Sequence, residues 1–231
     1  MEQPPVHNTK YPQSRWAALT WLIRCKCLIF KGVIGYPFVN PGPIGGSPIS
    51  LNGSEPSKEL FVRWWQLSTF LPQLHFLTPP AHFQDQFTRL LERKLSKTRE
   101  ELVSPLLRKF AREAMERSLP IIRPLWMLHP TDEKCLTISD QFMVGDSLLV
   151  APVLTEGANT RNVYLPAAPD GSDIIWKQDD GTFYKGGRWL NGTIVPLDRI
   201  LWFERQADGA RPGSDTVKHL LWYRLEIYLW Q

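Results

Sequence analysis

The segment Ile138–Leu154, ISDQFMVGDSLLVAPVL, decides how this chain of 231 residues is interpreted. It begins polar, turns at Gly145-Asp146 and continues as the apolar run Ser147–Ala151, which ends at Pro152. A short apolar run between a Gly-Asp turn and a proline predicts a strand that is buried on both faces. Before this segment the pattern alternates between helices and short strands, and after it the pattern is one of strands and turns.

The composition is that of a globular protein. Hydrophobic residues make up 43% and charged residues 22% of the chain, which argues against disorder. The net charge of +4 is spread along the sequence, and glutamates interleave with the basic residues between 89 and 101. A solvated helix face explains that run better than a nucleic-acid surface, so we expect no nucleic-acid partner. The ten tryptophans are compatible with a sugar-binding site, although most of them are expected to fill the core.

The three cysteines do not predict a metal site. Cys25 and Cys27 lack the second ligand pair that a zinc site needs. Together with Cys135 they are interpreted as free thiols. The alternative is one disulfide bond between two of the three cysteines. The sequence also carries no phosphate-binding loop, so no metal and no cofactor is expected.

The compartment is left open by the sequence. No signal peptide is evident, and the apolar run 16–23 is too short to span a bilayer. Two triplets, Asn52-Gly-Ser54 and Asn191-Gly-Thr193, match the acceptor pattern for N-glycosylation. Such triplets often occur by chance, so they indicate a secretory context only weakly.

Upstream of the opening segment the pattern predicts β/α units. The first predicted unit is a strand at Val33–Ile34, a Gly- and Pro-rich loop at 35–46 and a helix from Ser54 to Pro72. A strand at Gln73–Leu77 and a helical region at 83–117 follow; Pro105 interrupts this region, and Ser104 is the predicted cap of its second half. The last predicted element is a strand at Ile121–Met127. This order predicts consecutive units of a parallel barrel or sheet. The last strand would bury Arg123, whose charge then needs a carboxylate or several carbonyl groups.

Downstream of the opening segment the pattern predicts an antiparallel β domain. Short strands are predicted at 161–165, 174–176, 182–184, 192–195 and 199–203, with Gly and Asp turns between them. Regularly spaced short strands with turn signals are typical of a β-sandwich.

Several stretches resemble the late part of glycoside hydrolase family 31. They are ELFVRWWQLSTFLP (59–72), PIIRPLWMLHPTDE (120–133) and DQFMVGDSLLVAPVLTEGANTRNVYLP (140–166), and GYPFVNPGPIGG (35–46) resembles the Gly-Gly loop of the family. The resemblance covers roughly residues 33 to 205 and is closest to an animal branch of the family. It implies an α/β part followed by an all-β part: the terminal β/α units of a (β/α)8 TIM barrel, then an antiparallel C-terminal β-sandwich domain.

The resemblance also implies a reaction, the hydrolysis of O-glycosyl bonds in α-glycosides with retention. Such hydrolysis uses two carboxyl groups about 5–5.5 Å apart, one as nucleophile and one as acid/base. The family's nucleophile motif, Trp-x-Asp-x-Asn-Glu-like, does not occur in this chain, and the acid/base aspartate would lie upstream of the Gly-Gly loop. Gly42 and Pro43 occupy the two positions where relatives carry a sugar-contacting aspartate. We therefore assign no catalytic residue.

Other acids are poor substitutes for the missing pair. Asp140 and Asp146 flank the opening turn and are interpreted as hydrogen-bonding and turn residues.

His75 and Trp126 are placed at the carboxyl ends of predicted barrel strands, where such barrels bind ligands. They are the predicted substrate-binding residues, with core packing as the alternative for both.

The sequence therefore predicts the C-terminal portion of a family 31 glycosidase-like protein, inactive alone. The predicted domains are a divergent leader (1–32), the last units of a barrel (33–130), a C-terminal β domain (131–205) and a divergent apolar tail (206–231). A non-catalytic protein that binds carbohydrate or another partner, and a truncated gene product, are the alternatives. The expected ligand is an α-glucoside or α-galactoside, and the open edges of a partial barrel predict marginal stability or self-association. The family suggests a secretory-lumen or membrane-anchored context, but neither a signal peptide nor a transmembrane segment is evident in this chain.

Overall fold

The computed structural model describes residues 31–46, 55–168 and 172–206. Its helices and strands, in chain order, are α1 (Lys58–Thr69), a 3₁₀ turn (Pro80–Phe83), α2 (Gln86–Thr98), a π turn (Arg99–Val103), α3 (Ser104–Arg117), β1 (Ile122–Arg123), α4 (Leu125–Leu128), α5 (Glu133–Thr137), β2 (Phe142–Val144), β3 (Leu148–Ala151), β4 (Thr160–Leu165), β5 (Ile175–Gln178), β6 (Phe183–Lys185), β7 (Arg188–Ile194) and β8 (Leu201–Arg205). The predicted tail, apart from Gln206, and the predicted leader before residue 31 lie outside these residues.

Helix α1 is present, but it begins at Lys58 and not at the predicted Ser54, so Pro56 precedes the helix. Ser57 is its N-cap, and the Ser57 hydroxyl accepts a hydrogen bond from the Leu60 amide at 3.3 Å, which satisfies one of the free N–H groups of the first turn. The helix ends at Thr69, before Pro72. Ten consecutive residues from Leu60 to Thr69 are buried. The helix is therefore enclosed on all sides, which makes hydrogen bonds inside the protein important for its polar side chains, although Nε of Arg63, Nε1 of Trp64 and Oγ of Ser68 have none within the described residues.

The long helical region does not break at Pro105. A π turn from Arg99 to Val103 joins α2 to α3, and the Ser104 amide donates to the Arg99 carbonyl five residues earlier. The predicted cap at Ser104 is therefore wrong, since this residue has helical backbone angles. Pro105 has no N–H and would leave a carbonyl unpaired in a regular α-helix. The wider turn accommodates the proline without ending the helix.

Eight strands form two antiparallel sheets in the described part of the chain. The larger sheet has the order β1-β2-β3-β8-β5-β6, and the smaller is the ribbon β4-β7. The two sheets pack face to face, because residues of β4 share one buried cluster with residues of β3, β5 and β8. The predicted antiparallel β-sandwich is confirmed.

Strand β3 is buried on both faces, as its continuous apolar sequence predicts. Leu148 and Val150 belong to the cluster that includes the helices, whereas Leu149 and Ala151 belong to the cluster between the two sheets. All four side chains are fully buried. The larger sheet is thus the middle layer, with α1 to α3 on one face and the β4-β7 ribbon on the other. β2 and β3 form a hairpin whose turn is at Gly145-Asp146.

Two of the three predicted barrel strands are absent from the described residues, and the third is reduced to the two residues of β1. Val33 and Ile34 lie at the end of a helical turn, and Gln73–Leu77 has no strand pairing. Only Ile122 and Arg123 of the third strand are extended, and they pair antiparallel with Val144 and Met143 of β2. The described residues contain no parallel strand pair. These segments carry apolar residues at strand-like spacing, but a strand forms only where a partner supplies the other half of the hydrogen bonds.

The interior position of Arg123 is confirmed together with its predicted partner. The Arg123 side chain is 3% exposed, and its Nη2 atom lies 2.5 Å from Oε2 of Glu113 on α3. Its Nε atom donates to the Pro120 carbonyl at 2.8 Å. This pair joins the edge of the larger sheet to α3. It also places Ile122 and Arg123 in the β-sandwich, upstream of the predicted domain boundary at 130/131.

Candidate functional site

Arg63 joins helix α1 to the loops of the β-sandwich. This side chain is 2% exposed, and its guanidinium donates to four carbonyl groups. The acceptors are the carbonyls of Val195 at 2.8 Å, Arg199 at 3.0 Å, Pro196 at 3.2 Å and Ala158 at 3.2 Å. Burial lowers the pKa of Arg63, and the charges of Glu59 and Asp198 oppose that shift. We name this set of contacts the Arg63 clamp.

Two further side chains of α1 extend the Arg63 clamp. Gln66 accepts a hydrogen bond from Arg63 through Oε1 and donates to the Leu197 carbonyl at 2.6 Å through Nε2. Glu59 accepts from the Gly157 amide at 2.9 Å. Positions 59, 63 and 66 lie one helical turn apart and therefore share one side of the helix. The β3–β4 and β7–β8 loops are thus held by a single polar stripe on α1.

The loop that resembles the family's Gly-Gly loop runs alongside α1. The Ile44 amide donates to the His75 carbonyl at 2.8 Å, and the Ile44 side chain is 1% exposed. Gly45 has φ +85°, and a Cβ atom there would lie 2.8 Å from Cγ of Pro56. Both the backbone angle and the space therefore require glycine at this position. The loop passes from the C-terminal end of α1 towards its N-terminal end.

The two predicted substrate-binding residues lie in different parts of the fold. His75 is exposed in the segment after α1, and the neighbouring Phe76 packs on the helix-side cluster. Trp126 is half-buried on the short helix α4, whose Leu125 belongs to the cluster between the sheets. Neither residue follows a barrel strand, because Gln73–Leu77 is not a strand and Trp126 is helical. The role of His75 and Trp126 in sugar binding stays a prediction.

The acids of the opening segment have structural partners. Asp140 lies 3.3 Å from Nη2 of Arg161, which also donates to the Pro152 carbonyl. Asp146 accepts a hydrogen bond from the Ser147 hydroxyl at 2.7 Å. Partial burial raises the pKa of Asp146, but this hydrogen bond and the positive charge of Lys109 outweigh it, so the pKa lies below its usual value. A general acid needs the opposite shift.

Asp179 and Asp180 form a pair of neighbouring carboxylates in the β5–β6 turn. Arg199 bridges them: its Nη2 atom lies 2.9 Å from Asp179 and 3.0 Å from Asp180. Burial raises the pKa of Asp180, but hydrogen bonds from Thr182 and Arg199 outweigh that effect and lower it. The lowered pKa keeps Asp180 ionised, whereas a glycosidase needs one of its two carboxyl groups protonated. These acids therefore anchor the turn.

A second polar cluster surrounds Asp132 beside α5. The Asp132 carboxylate accepts from the Lys134 amide at 3.2 Å, which caps the helix, and from the Tyr164 hydroxyl at 2.5 Å. Burial raises the pKa of the nearby Cys135 thiol to about 12, so this thiol is protonated and inert. His129 is 2% exposed, and its Nδ1 atom lies 2.7 Å from the Ala167 carbonyl. This cluster packs α4 and α5 against β4.

The helical layer contains a cleft of about 270 Å³. An aromatic side chain, hydroxyl groups and one acid line it: Trp65, Thr69, Leu74, Leu95, Ser96, Arg99, Glu100 and Ser104. Arg99 reaches across to the end of α1 and donates to the carbonyls of Thr69 at 2.7 Å and Pro72 at 3.0 Å, and also to that of Leu71. Trp65, Thr69 and Leu95 are at most 4% exposed, so the accessible surface of the cleft comes mainly from its polar residues, among them the exposed Ser96 and Glu100.

Sequence reasoning missed the residues of the Arg63 clamp and of the cleft. Glu59, Arg63 and Gln66 at helical spacing were a signal, since a polar stripe on a helix with so many apolar residues needs an internal partner. Arg99 gave no such signal, because it stands in a run of alternating charges.

Within the described residues, no helix is both long and apolar enough for a membrane span, and no cluster of three potential metal ligands occurs.

Comparison with known proteins identifies the β-sandwich. Residues 118–207 match the family model described as the glycosyl hydrolase family 31 C-terminal domain. This segment of the chain is a glycosyl hydrolase family 31 C-terminal domain. The matched range begins just before β1, in agreement with the pairing of Ile122 and Arg123 into the larger sheet. The resemblance that the sequence motifs carry is confirmed.

Relatives from animals match over most of the chain. The SITS-binding protein of Tetronarce californica is 37% identical over 218 residues, which are 93% of this chain and 30% of that protein. The myogenesis-regulating glycosidase of Mus musculus is 36% identical over 178 residues, which are 74% of this chain and 24% of that protein. The chain thus spans less than a third of the length of these family 31 relatives.

A solved structure of the family has the same fold in the corresponding part. The family 31 dextranase of Flavobacterium johnsoniae, crystallised with isomaltotriose, aligns with a TM-score of 0.65 and 29% identity. The alignment covers 82% of this chain and 23% of the dextranase. Most of the described residues, helices as well as strands, therefore have a counterpart in a larger glycosidase.

Proposed function

We propose that this chain is the C-terminal portion of a family 31 glycosidase-like protein, in which it supports an active site for the hydrolysis of O-glycosyl bonds in α-glucosides or α-galactosides. In this proposal α1 and the 35–46 loop are the last β/α unit of a (β/α)8 barrel, and the catalytic carboxylates belong to a part of the barrel that this chain does not contain. The barrel part ends before residue 118 and not at the predicted residue 130, because residues 118–207 match the C-terminal domain.

The Arg63 clamp is the observation that carries this proposal. Four loop carbonyls and the side chain of Gln66 surround one guanidinium, so the β-sandwich fixes the position of α1. The 35–46 loop follows α1 through the Ile44–His75 hydrogen bond and the contact of Gly45 with Pro56. A ligand-binding loop on a rigid support keeps its geometry, and catalysis requires that geometry because the substrate must be held close to the catalytic groups in the correct orientation. The β-sandwich would therefore hold the elements of the sugar site in a fixed position.

A direct assay tests whether the chain is inactive alone. The purified chain is incubated with aryl α-glucosides and aryl α-galactosides, and release of the aryl alcohol is followed by absorbance. We expect no turnover above buffer, because Asp140, Asp146, Asp179 and Asp180 are held by structural partners. Turnover that disappears in one of the variants D140N, D146N, D179N or D180N, but persists in the control E116Q on the surface of α3, would overturn the proposal.

The cleft beside Trp65 favours a second function, non-catalytic binding of carbohydrate. The side chains of Ser96, Glu100 and Ser104 suit the hydroxyl groups of a sugar, while Trp65 is buried at the base of the cleft. Leu74 lines the cleft and precedes His75, which we propose as a contact at its rim. Trp126 would belong to a separate contact, because it lies beside the cluster between the sheets.

Isothermal titration with glucose- and galactose-containing disaccharides tests this second function. We expect a heat of binding that E100Q and H75A reduce and that the surface control E116Q leaves unchanged. A heat that persists in both cleft variants but is lost in W126A would place the sugar at α4 instead. Absence of heat for the unmodified chain at millimolar sugar would reject carbohydrate binding and leave the supporting role.

A further inference from the structure

Strand β7 carries a bulge at Asn191. Arg161 of β4 pairs with Thr193, and Val163 pairs with Leu190, so two residues of β7, Asn191 and Gly192, lie opposite the single residue Asn162. A bulge of this kind disrupts the hydrogen-bond ladder and redirects the side chains of the bulged residues. Asn191-Gly192-Thr193 is one of the two acceptor triplets for N-glycosylation in the sequence.

The local structure leaves the Asn191 amide free for reaction. Asn191 is exposed, and its side chain makes no hydrogen bond within the described residues. Gly192 adopts φ +62°, with open space where a Cβ atom would lie. The Gly192 amide donates to Oδ1 of Asn162 at 2.8 Å. Asn162 therefore holds the bulge in place, while Asn191 projects from the surface of the ribbon.

Trp189 supplies an aromatic surface on the same face of the strand. Trp189 pairs with Tyr164 and Asn191 lies opposite Asn162. Residues 162 and 164 are alternate positions of β4 and share one face, so Trp189 and Asn191 lie on that face as well. The Trp189 side chain is 43% exposed, and its ring centroid lies 5.2 Å from that of Tyr164. Tyr164 is in turn anchored by its hydrogen bond to Asp132 at 2.5 Å. The indole is thus held in position while part of it faces solvent.

We propose that Asn191 is an N-glycosylation acceptor and that Trp189 packs against the first sugar of the attached glycan. The donor is a lipid-linked pyrophosphoryl oligosaccharide. The Asn191 amide nitrogen forms a bond to the anomeric carbon of its first N-acetylglucosamine, the bond from that carbon to the phosphate oxygen breaks, the amide loses one proton, and lipid pyrophosphate leaves. The C–H groups on one face of the sugar then meet the electron-rich face of the indole.

The other triplet of the same chain provides an internal comparison. Asn52-Gly53-Ser54 has the same middle residue, but Ser50 stands two positions before its asparagine, where Trp189 precedes Asn191. The triplet lies outside the described residues. We therefore expect glycan occupancy to be higher at Asn191 than at Asn52, since the residue two positions before the asparagine is aromatic at Asn191 and serine at Asn52.

Mass spectrometry of secreted protein tests the site. The full chain is expressed in mammalian cells behind a cleavable secretion signal, with a C-terminal peptide that carries one additional acceptor triplet. Lectin capture through that peptide ensures that every molecule measured has passed through the lumen. We expect a glycan at Asn191, and loss of one glycosidase-sensitive gel shift in both N191Q and T193A. An unmodified Asn191 in the captured molecules would overturn the proposal.

The role of Trp189 has its own readout. The melting temperature is compared before and after enzymatic removal of the glycan, in the N52Q background so that only the glycan on Asn191 contributes. We expect deglycosylation to lower the melting temperature of the parent and of W189F, and to leave that of W189A unchanged. I194A removes another exposed apolar side chain of β7 and should behave like the parent. Equal losses in W189A and the parent would refute the packing of the sugar on Trp189.

Discussion

The ring of Phe110 lies against the backbone of Gly145, where an added Cβ atom would come within 2.0 Å of the Phe110 Cζ atom. Phe110 is fully buried on α3, and Gly145 is in the turn between β2 and β3 with φ +58°. The Gly145 amide also donates to the Ile121 carbonyl at 2.7 Å. The hairpin that defines the family motif is therefore fitted to α3 at a residue without a side chain.

We expect G145A to destabilise the protein by at least about 2 kcal/mol. The left-handed backbone angle disfavours alanine, and the new methyl group would displace the Phe110 ring from a close-packed site. Urea unfolding followed by tryptophan fluorescence measures the change in the free energy of unfolding. An effect below about 0.5 kcal/mol, the usual size for a neutral surface substitution, would contradict the contact.

G157A is the matched control for this experiment. Gly157 has φ +71°, but nothing lies within 4 Å of its Cβ position, so the variant measures the backbone strain alone. The excess cost of G145A over G157A is then due to the ring of Phe110. F110A should remove most of that excess, because it vacates the space that the methyl group needs, and a double-mutant cycle reports the coupling.

The Arg63 clamp predicts that R63M destabilises the contact between α1 and the β-sandwich by at least about 2 kcal/mol. Methionine keeps most of the apolar volume but leaves the buried Val195 carbonyl and its neighbours without a donor. Hydrogen exchange should rise first in residues 195–199, because these carry three of the carbonyls that Arg63 holds. Chemical denaturation together with exchange mass spectrometry measures both effects.

K94M is the control for R63M. Lys94 also donates to a carbonyl of the β7–β8 loop, that of Asp198 at 3.0 Å, but its side chain is exposed and water can replace it. We expect K94M to change stability by less than about 0.5 kcal/mol. Similar losses in the two variants would indicate that the positive charge near the loop, and not the buried hydrogen bonds, provides the stability.

The β-sandwich could be predicted from sequence because its determinants are local. Short runs with turns between them mark β4 to β8, and the continuous apolar sequence of β3 reflects burial on both faces. The segments Val33–Ile34 and Gln73–Leu77 have a similar apolar character, yet they form no strands in the described part of the chain. Strand formation depends on a neighbouring strand, and the sequence of a segment does not contain that information.

The polar contacts that organise the candidate site depend on tertiary structure. Arg63 satisfies carbonyls that lie more than 90 residues away along the chain, so no local pattern identifies its partners. Arg123 could be predicted to need a carboxylate, but not that Glu113 on α3 supplies it. His75 and Trp126 were placed by analogy with barrel strand ends, and their surroundings differ because those strands do not form.

Stability is expected to fall as the pH drops below about 6.5, because His129 is buried in its neutral form. Burial lowers the pKa of His129 from the reference value of 6.5, the nearby Arg205 adds to this effect, and the Ala167 hydrogen bond and Asp132 oppose it. The folded state thus binds a proton less readily than the unfolded state. The contribution of His129 is complete above pH 6.5 and is lost as the pH falls towards the folded pKa.

H129Q should remove this pH dependence, since glutamine can donate to the Ala167 carbonyl and carries no titratable proton. The free energy of unfolding is measured by urea titration at intervals from pH 7.5 to pH 5, and the slopes of the parent and H129Q are compared. The control is H75Q, because His75 is exposed and should leave the slope unchanged. A parent slope that persists in H129Q would assign the effect to other groups.

The final prediction concerns an exposed apolar surface. Ile34, Tyr36, Phe38 and Leu77 are 52%, 64%, 55% and 52% exposed, and they belong to two segments that the Ile44–His75 hydrogen bond brings together. Apolar groups concentrated in this way are covered by another surface in most soluble proteins. In the dextranase the counterpart of this chain is 23% of a longer polypeptide, which leaves ample protein to cover such a surface.

We therefore expect the isolated chain to self-associate, and the double variant I34E/F38E to shift it towards the monomer. Sedimentation velocity at several concentrations measures the distribution of species. I194E is the control, because Ile194 is 68% exposed on β7, in the ribbon on the other face of the larger sheet from α1, and a charge there should not change the association. A chain that sediments as a monomer at all concentrations and melts in one sharp transition would contradict the expectation, and would show that these side chains are stable in water.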